Sequence, residues 1–237
     1  MKIAQQWARA VLCLVGGAWM PGLLSGCAIP IAAARVAEVQ VRLVHVAPNT
    51  PPLDLEVGGV KVARSVAYGL VSEYTRLPTG EYDILLLATP ETSSASQVVA
   101  KTVANFRGGG VFSVVAADEP NRVTALVLED NINPLFDQAL VRFVHAAPDA
   151  PPLQWQGERG RVLIPQLAFG QASTFQAMRP GFTQVQVFTV APRIPLQRFD
   201  LQLEAGKVYT LYVAGLLRSN PSLSGVLAEE TRARRLL

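Results

Sequence analysis

Cysteine is almost missing from this 237-residue chain: Cys13 and Cys27 are the only two, and everything after position 27 has none. A disulfide framework and a thiolate-held metal cluster are therefore excluded for the folded part. Charge is sparse as well. Charged residues make up 16% of the chain, and 21 basic against 18 acidic side chains give a formal net charge of +3. Lys2 and Arg9 fall in a segment expected to be removed, so 3 − 2 leaves about +1 on the mature protein. A nucleic-acid binder would need a basic patch to neutralise phosphates, and no nucleic-acid partner is expected. Long apolar runs are missing too, since the run over residues 10–20 is too short to cross a bilayer. No window shows sustained helical periodicity. Short alternating segments interrupted by 18 glycines and 17 prolines point to strands and turns.

The chain does contain a repeat. Residues 41–53 read Val-Arg-Leu-Val-His-Val-Ala-Pro-Asn-Thr-Pro-Pro-Leu. Residues 141–153 read Val-Arg-Phe-Val-His-Ala-Ala-Pro-Asp-Ala-Pro-Pro-Leu, identical at nine of thirteen positions. One fixed offset over that length marks a tandem repeat. Weaker echoes extend it. Phe169-Gly170 answers Tyr68-Gly69, residues 180–182 answer 78–82, and residues 226–230 answer 126–130.

Residues 1–26 read as a secretory signal. Lys2 and Arg9 form the positive end, residues 10–20 the apolar segment, and Cys13 there is a small apolar residue. Leu23-Leu24-Ser25-Gly26-Cys27 resembles the bacterial lipobox. That resemblance implies that Cys27 becomes the mature N-terminus and carries acyl chains such as palmitate, a stable membrane anchor. Ala28 stands where an aspartate would imply retention at the inner membrane, so outer-membrane delivery is expected. Residues 27–37 would be the lipid-anchored tether.

Within the first copy, Val39, Val41, Leu43 and His45 alternate with Gln40, Arg42 and Val44, as a strand does. The following prolines end it. Strand-like runs follow at 53–57, 60–63, 71–77, 81–87, 97–106, 111–117 and 123–128, separated by glycine, proline or polar turns. The second copy opens at 139–145 and retraces this order. Seven or eight short strands per roughly 100 residues predict an all-β protein of two tandem immunoglobulin-like, Greek-key-type β-sandwich domains. The expected divisions are 38–130, a linker at 131–137, 138–230, and a basic tail at 231–237. Residues 84–87 are apolar on both faces. They form either a central strand or a face packed on the second domain or on a partner.

The opening Val-Arg-x-Val-His-x-Ala-Pro run in both copies, the aromatic-Gly pairs and the Gly206-Lys207-Val208-Tyr209-Thr210 strand resemble a bacterial domain family of unknown function, numbered 4397. The resemblance covers nearly all of residues 36–230 and is specific at the opening motif. It implies an extracytoplasmic β-sandwich, often in tandem, and supplies no catalytic residues. The first copy departs at Asn49 and Thr50, the second at Gln154 and Trp155.

Little familiar chemistry is present. His45 and His145, with Arg42 and Arg142, are expected to serve the structure, each imidazole bonding carbonyls of the proline-rich loop; no metal or other cofactor is expected. A His145–Asp149 dyad could orient a base, but the first copy has Asn49 there and no serine sits in a nucleophile elbow. Glu129-Asp130 and Glu229-Glu230 are expected to be solvated strand exits rather than a glycosidase pair. Gly108-Gly109-Gly110 lacks the helix and lysine of a phosphate loop. Trp155, flanked by Gln154 and Gln156, is the candidate ligand contact, an aromatic that stacks on a sugar while amides bond its hydroxyls; the alternative is that it fills the core as Leu55 would. The expected function is a non-enzymatic binding or scaffolding module of the cell envelope. It would be lipid-anchored, with an envelope protein or polysaccharide as partner. The alternative is a polysaccharide-binding module or an accessory factor in exopolysaccharide export or modification.

Overall fold

A computed structural model describes residues 37–89 and 95–231. The signal segment, Cys27, the tether before residue 37 and the tail after residue 231 lie outside the described residues. Among the described residues there are sixteen strands, eight in each repeat. The first eight are β1 (Glu38–His45), β2 (Leu53–Val57), β3 (Val60–Val66), β4 (Thr75–Pro78), β5 (Gly80–Ala88), β6 (Gln97–Phe106), β7 (Val111–Ala117) and β8 (Thr124–Asp130). The second eight are β9 (Ala139–His145), β10 (Leu153–Gln156), β11 (Val162–Leu167), β12 (Gln176–Met178), β13 (Gly181–Thr189), β14 (Pro195–Leu203), β15 (Val208–Ala214) and β16 (Ser224–Glu229).

Each repeat folds into two four-stranded sheets with the same connectivity. The first has the orders β4-β1-β7-β8 and β3-β2-β5-β6, the second β12-β9-β15-β16 and β11-β10-β13-β14. All neighbours are antiparallel except β1 with β7 and β9 with β15, which are parallel. The chain is thus all-β, two tandem sandwiches. Gly58 and Gly59, at φ +56° and +82°, make the tight β2–β3 turn; a side chain at Gly58 would strike the Tyr82 ring.

Alternation places one face of every strand in a core. Val41, Leu43, Leu55, Ile84, Leu86 and Phe106 fill the first sandwich; Phe143, Trp155, Val185, Val187, Leu203 and Leu211 fill the second. The strands β1, β7, β9 and β15 are buried on both faces. Their outer residues form a third core, in which Val44, Val46, Val115 and Ala117 meet Val144, Ala146, Tyr212 and Ala214. Two-sided burial is what parallel strands require. The described residues accordingly cluster as one compact unit.

The sheet order decides between the two readings of residues 84–87 in favour of the central strand. The apolar run 84–87 does not pack on the second sandwich. β5 is the inner strand between β2 and β6, with Ile84 and Leu86 in the core and Leu85 and Leu87 partly exposed on the far face. The strand expected over 71–77 is shorter. Val71 makes only an isolated bridge to Val44, because the Ser72 hydroxyl takes the Leu43 N–H at 2.9 Å. Ser173 does the same to Phe143 at 3.0 Å.

Candidate functional site

Each opening strand ends in a histidine whose hydrogen bonds are consumed locally. His45 Nε2 lies 3.2 Å from the Pro51 carbonyl, and Nδ1 accepts the Ala47 N–H at 3.3 Å. His145 repeats this with Pro151 and Ala147 at the same distances. Both bonds fit one neutral tautomer, Nε2–H donating and Nδ1 accepting. Burial lowers the His45 pKa and pushes His145 down to about 4, outweighing the loop carbonyls. Tyr68 and Phe169 stand edge-on to the two imidazoles at 6.1 Å. Asp149 does not meet His145. Its carboxylate accepts the N–H groups of Leu217 and Arg218 at 2.7 and 3.0 Å and ties down the β15–β16 loop. Among the described residues, no group of three or more His, Cys, Asp or Glu side chains could hold a metal ion.

The arginines of the opening strands lie where the two sandwiches meet. Arg42 donates through Nε to Ser113 Oγ at 2.8 Å and through Nη1 to the Glu229 carbonyl at 2.8 Å. Arg142 donates to Thr210 Oγ1 at 3.0 Å and to the Glu129 carbonyl at 2.8 Å. Each repeat therefore reaches across to the last strand of the other. Arg142 Nη2 also meets Asp130 at 2.7 Å and Glu230 at 2.8 Å, and Arg42 lies 3.6 Å from Asp130. The Tyr74 hydroxyl donates to Asp130 at 2.7 Å. Two guanidiniums thus balance two carboxylates, all nearly excluded from water. Asp130 and Glu230, expected at solvated strand exits, are buried instead, because the arginines draw them in. Burial and the neighbouring Asp130 raise the Glu230 pKa against the pull of Arg142. Burial alone would lower the Arg142 pKa, but Glu230 above all holds it up. Apart from Arg42 Nη2, which is buried without a hydrogen-bond partner among the described residues, the charged groups here bond other groups of the chain, so this centre holds the sandwiches together.

Trp155 is 0% exposed, 6.0 Å from the Phe143 ring and 6.4 Å from His145. It fills the core where Leu55 does in the first repeat and presents no face to a sugar. Its Nε1–H is buried without a partner among the described residues. Gln154 and Gln156 point the other way. The Gln156 amide donates to Gln154 Oε1 at 2.7 Å, on the outer face of the β11-β10-β13-β14 sheet.

That outer face is the surface that sequence reading missed. On β13, Thr183, Val185 and Val187 are buried, while Phe182, Gln184, Gln186 and Phe188 alternate with them. Gln186 sits opposite Gln156 and Arg198, and Phe188 opposite Gln154. The first sandwich has the same register, with Asp54 opposite Leu87 and Glu56 opposite Leu85. The matching positions carry different chemistry. Asp54, Glu56, Glu81 and Asp83 of the first repeat correspond to Gln154, Gln156, Phe182 and Gln184 of the second. In the first repeat the acids are partly matched by lysines, Lys61 to Asp54 at 2.8 Å and Lys101 to Asp83 at 3.0 Å.

One groove lies on this face, and a second lies at its edge, where β11 adjoins β12 of the opposite sheet. The first, about 450 Å³, is lined by Gln156, Gln184, Gln186 and Arg198. The second, about 380 Å³, is lined by Arg161, Leu163, Met178 and Arg179. Phe182, Glu158 and Arg159 belong to both. Phe182 is 62% exposed. Comparison of the two copies at 54, 56, 81 and 83 would have exposed the difference, but the arginines come from separate segments that only strand pairing brings together.

Residues 39–156 match the family described as Domain of unknown function (DUF4397). The DUF4397 match runs from β1 through β10, the whole first sandwich and the opening of the second. No curated protein matches the chain in sequence. Among solved structures, the Bacillus anthracis TIE protein is 9% identical with a TM-score of 0.25; the likeness covers 75% of this chain and 34% of that one, so the chain spans about a third of its length. CBMbc, of family CBM26, from Eubacterium rectale Amy13K, solved with maltoheptaose, is 8% identical with a TM-score of 0.26, covering 84% and 98%.

Proposed function

We propose that this chain is a non-enzymatic binding module of the bacterial cell envelope, anchored at the outer membrane through lipid on Cys27. Its ligand-contacting surface is the outer face of β10, β13 and β14. One observation carries the reading: the same strands in the same register bear acids matched by lysines in the first repeat, and amides with exposed phenylalanine in the second. A shared scaffold fixes the inner faces of both sheets, so the difference resides where only a ligand would read it. The histidines and Arg142 support the reading from the other side, since they bond within the chain and are buried. The first sandwich then acts as the membrane-side support. An accessory role in exopolysaccharide export or modification fits the same surface.

The test is chemical crosslinking of the lipidated protein in its own envelope, with both bound protein and bound glycan identified. The double variant Phe182→Ala/Gln186→Ala should lose the crosslinked partner, while Leu85→Gln should keep it. A partner retained by the double variant and lost with the first-sandwich change would overturn the assignment of the face. Cys27→Ser should release the protein from the membrane fraction; full retention there would overturn the anchor.

A further inference from the structure

We infer that the ligand of this face is an acidic polysaccharide, one whose sugars carry carboxylates. The inference rests on the binding-module reading above and names its ligand class.

Charge decides the class. Arg159, Arg161, Arg179 and Arg198 line the two grooves, all exposed, and none forms an ion pair among the described residues. Glu158 is the only carboxylate in either lining. Counting Asp200, which accepts from the Gln184 amide at 2.9 Å beside the lining, four guanidiniums stand against two acids and leave a local positive excess. A guanidinium presents a planar fork that matches a carboxylate through two parallel hydrogen bonds. The four positions that are acidic in the first sandwich are neutral here, and Asp200 is the one acid gained on β14, where the first sandwich has Val103, so the repulsion an anionic chain would meet is reduced.

Shape and polarity select a sugar polymer among anions. Gln154, Gln184 and Gln186 carry amides that both donate and accept, as hydroxyls demand; Gln156 and Gln184 each spend one N–H inside the chain, on Gln154 and Asp200, which orients the row. Phe182 stands in the linings of both grooves and offers an apolar ring to the C–H face of a pyranose. Each groove falls in the size range of a small-ligand site, and the shared residues join them. A chain of several sugars can run from the outer face onto the adjoining β11–β12 edge, passing Phe182 where the two grooves meet. Nucleic acid is disfavoured, because Phe182 and Phe188 lie six residues apart on one strand, roughly 20 Å, too far to stack successive bases.

The experiment is isothermal titration of the full lipidated protein in detergent with polygalacturonate, its fully methyl-esterified form and dextran, at low and high salt. Polygalacturonate should bind at least about tenfold tighter than the ester or dextran, and salt should weaken it. Arg161→Gln/Arg198→Gln, and separately Gln156→Glu/Gln184→Asp, should each weaken it about tenfold or more, with unchanged circular dichroism and thermal midpoint. Equal binding of the ester or dextran overturns the inference, as does wild-type affinity in the arginine variant. Equal affinity for phosphatidylglycerol vesicles or duplex DNA overturns it too, revealing a general polyanion surface. If polygalacturonate fails while the envelope crosslink still depends on Phe182 and Gln186, the ligand class falls and the site stands. If the crosslink is indifferent to them, both fall.

Discussion

Arg142 uses its guanidinium entirely inside the protein, on Thr210, the Glu129 carbonyl, Asp130 and Glu230. Removing it leaves two buried carboxylates facing each other without a cation. Arg142→Ala should cost roughly 3–5 kcal/mol in a urea unfolding measurement. Arg142→Lys should recover little of this, because an ammonium cannot span the four acceptors. His145 gives a different signature. Its folded pKa of about 4 lies below the ordinary 6.5, so the folded state keeps the ring neutral while the unfolded chain takes up a proton below pH 6.5. Stability from this group is intact above pH 6.5 and is lost as pH falls towards 4, by at most roughly 3 kcal/mol. His45 acts in the same direction. Unfolding midpoints at pH 7 and pH 4.5 should therefore differ less in His145→Gln than in the wild type.

At the level of elements, β7 and β5 make the contrast that matters. Val115 lies on the outer side of β7, within the core between the sandwiches, whereas Leu85 lies on the outer side of β5, partly exposed. Val115→Gln should cost about 2–3 kcal/mol, and Leu85→Gln, which copies its counterpart Gln186, less than about 1 kcal/mol. Equal costs in chemical denaturation would contradict the layering of the four sheets. This contrast also marks what the sequence could reveal. Strand positions, the repeat and the sandwich class follow from alternation and turn residues, which act locally. Which sheets meet is not local. The run 84–87, apolar on both faces, fits a central strand or an interface from sequence; it is the central strand, and β1 and β7 are the interface strands. The alternation of β1 is masked by Arg42, whose partners lie 71 to 187 positions away. The buried state of Asp130 and Glu230 was hidden for the same reason. Trp155 was ambiguous until the pairing of β10 with β13 assigned it to the inner face.

For the molecule as a whole, the third core and the arginine centre join the repeats more extensively than the 131–137 connection does. Neither sandwich can open without exposing Val44, Val115, Val144 and Tyr212 together. Calorimetry should show one transition, with calorimetric and van't Hoff enthalpies equal. Two resolved peaks would mean that the sandwiches fold independently. Arg42 reaches the Glu229 carbonyl and Arg142 the Glu129 carbonyl. That reciprocity is the mark of an isologous dimer, each half offering the other the same patch. Here the two halves are fused in one polypeptide. Identical subunits would be bound to vary in lockstep, so any change on one outer face would appear on both. Fusion lifts that constraint. One copy can keep its acids while its twin exchanges them for amides and a phenyl ring, and the seam between them holds because it is built from neither outer face. The duplicated architecture is thereby a licence for division of labour.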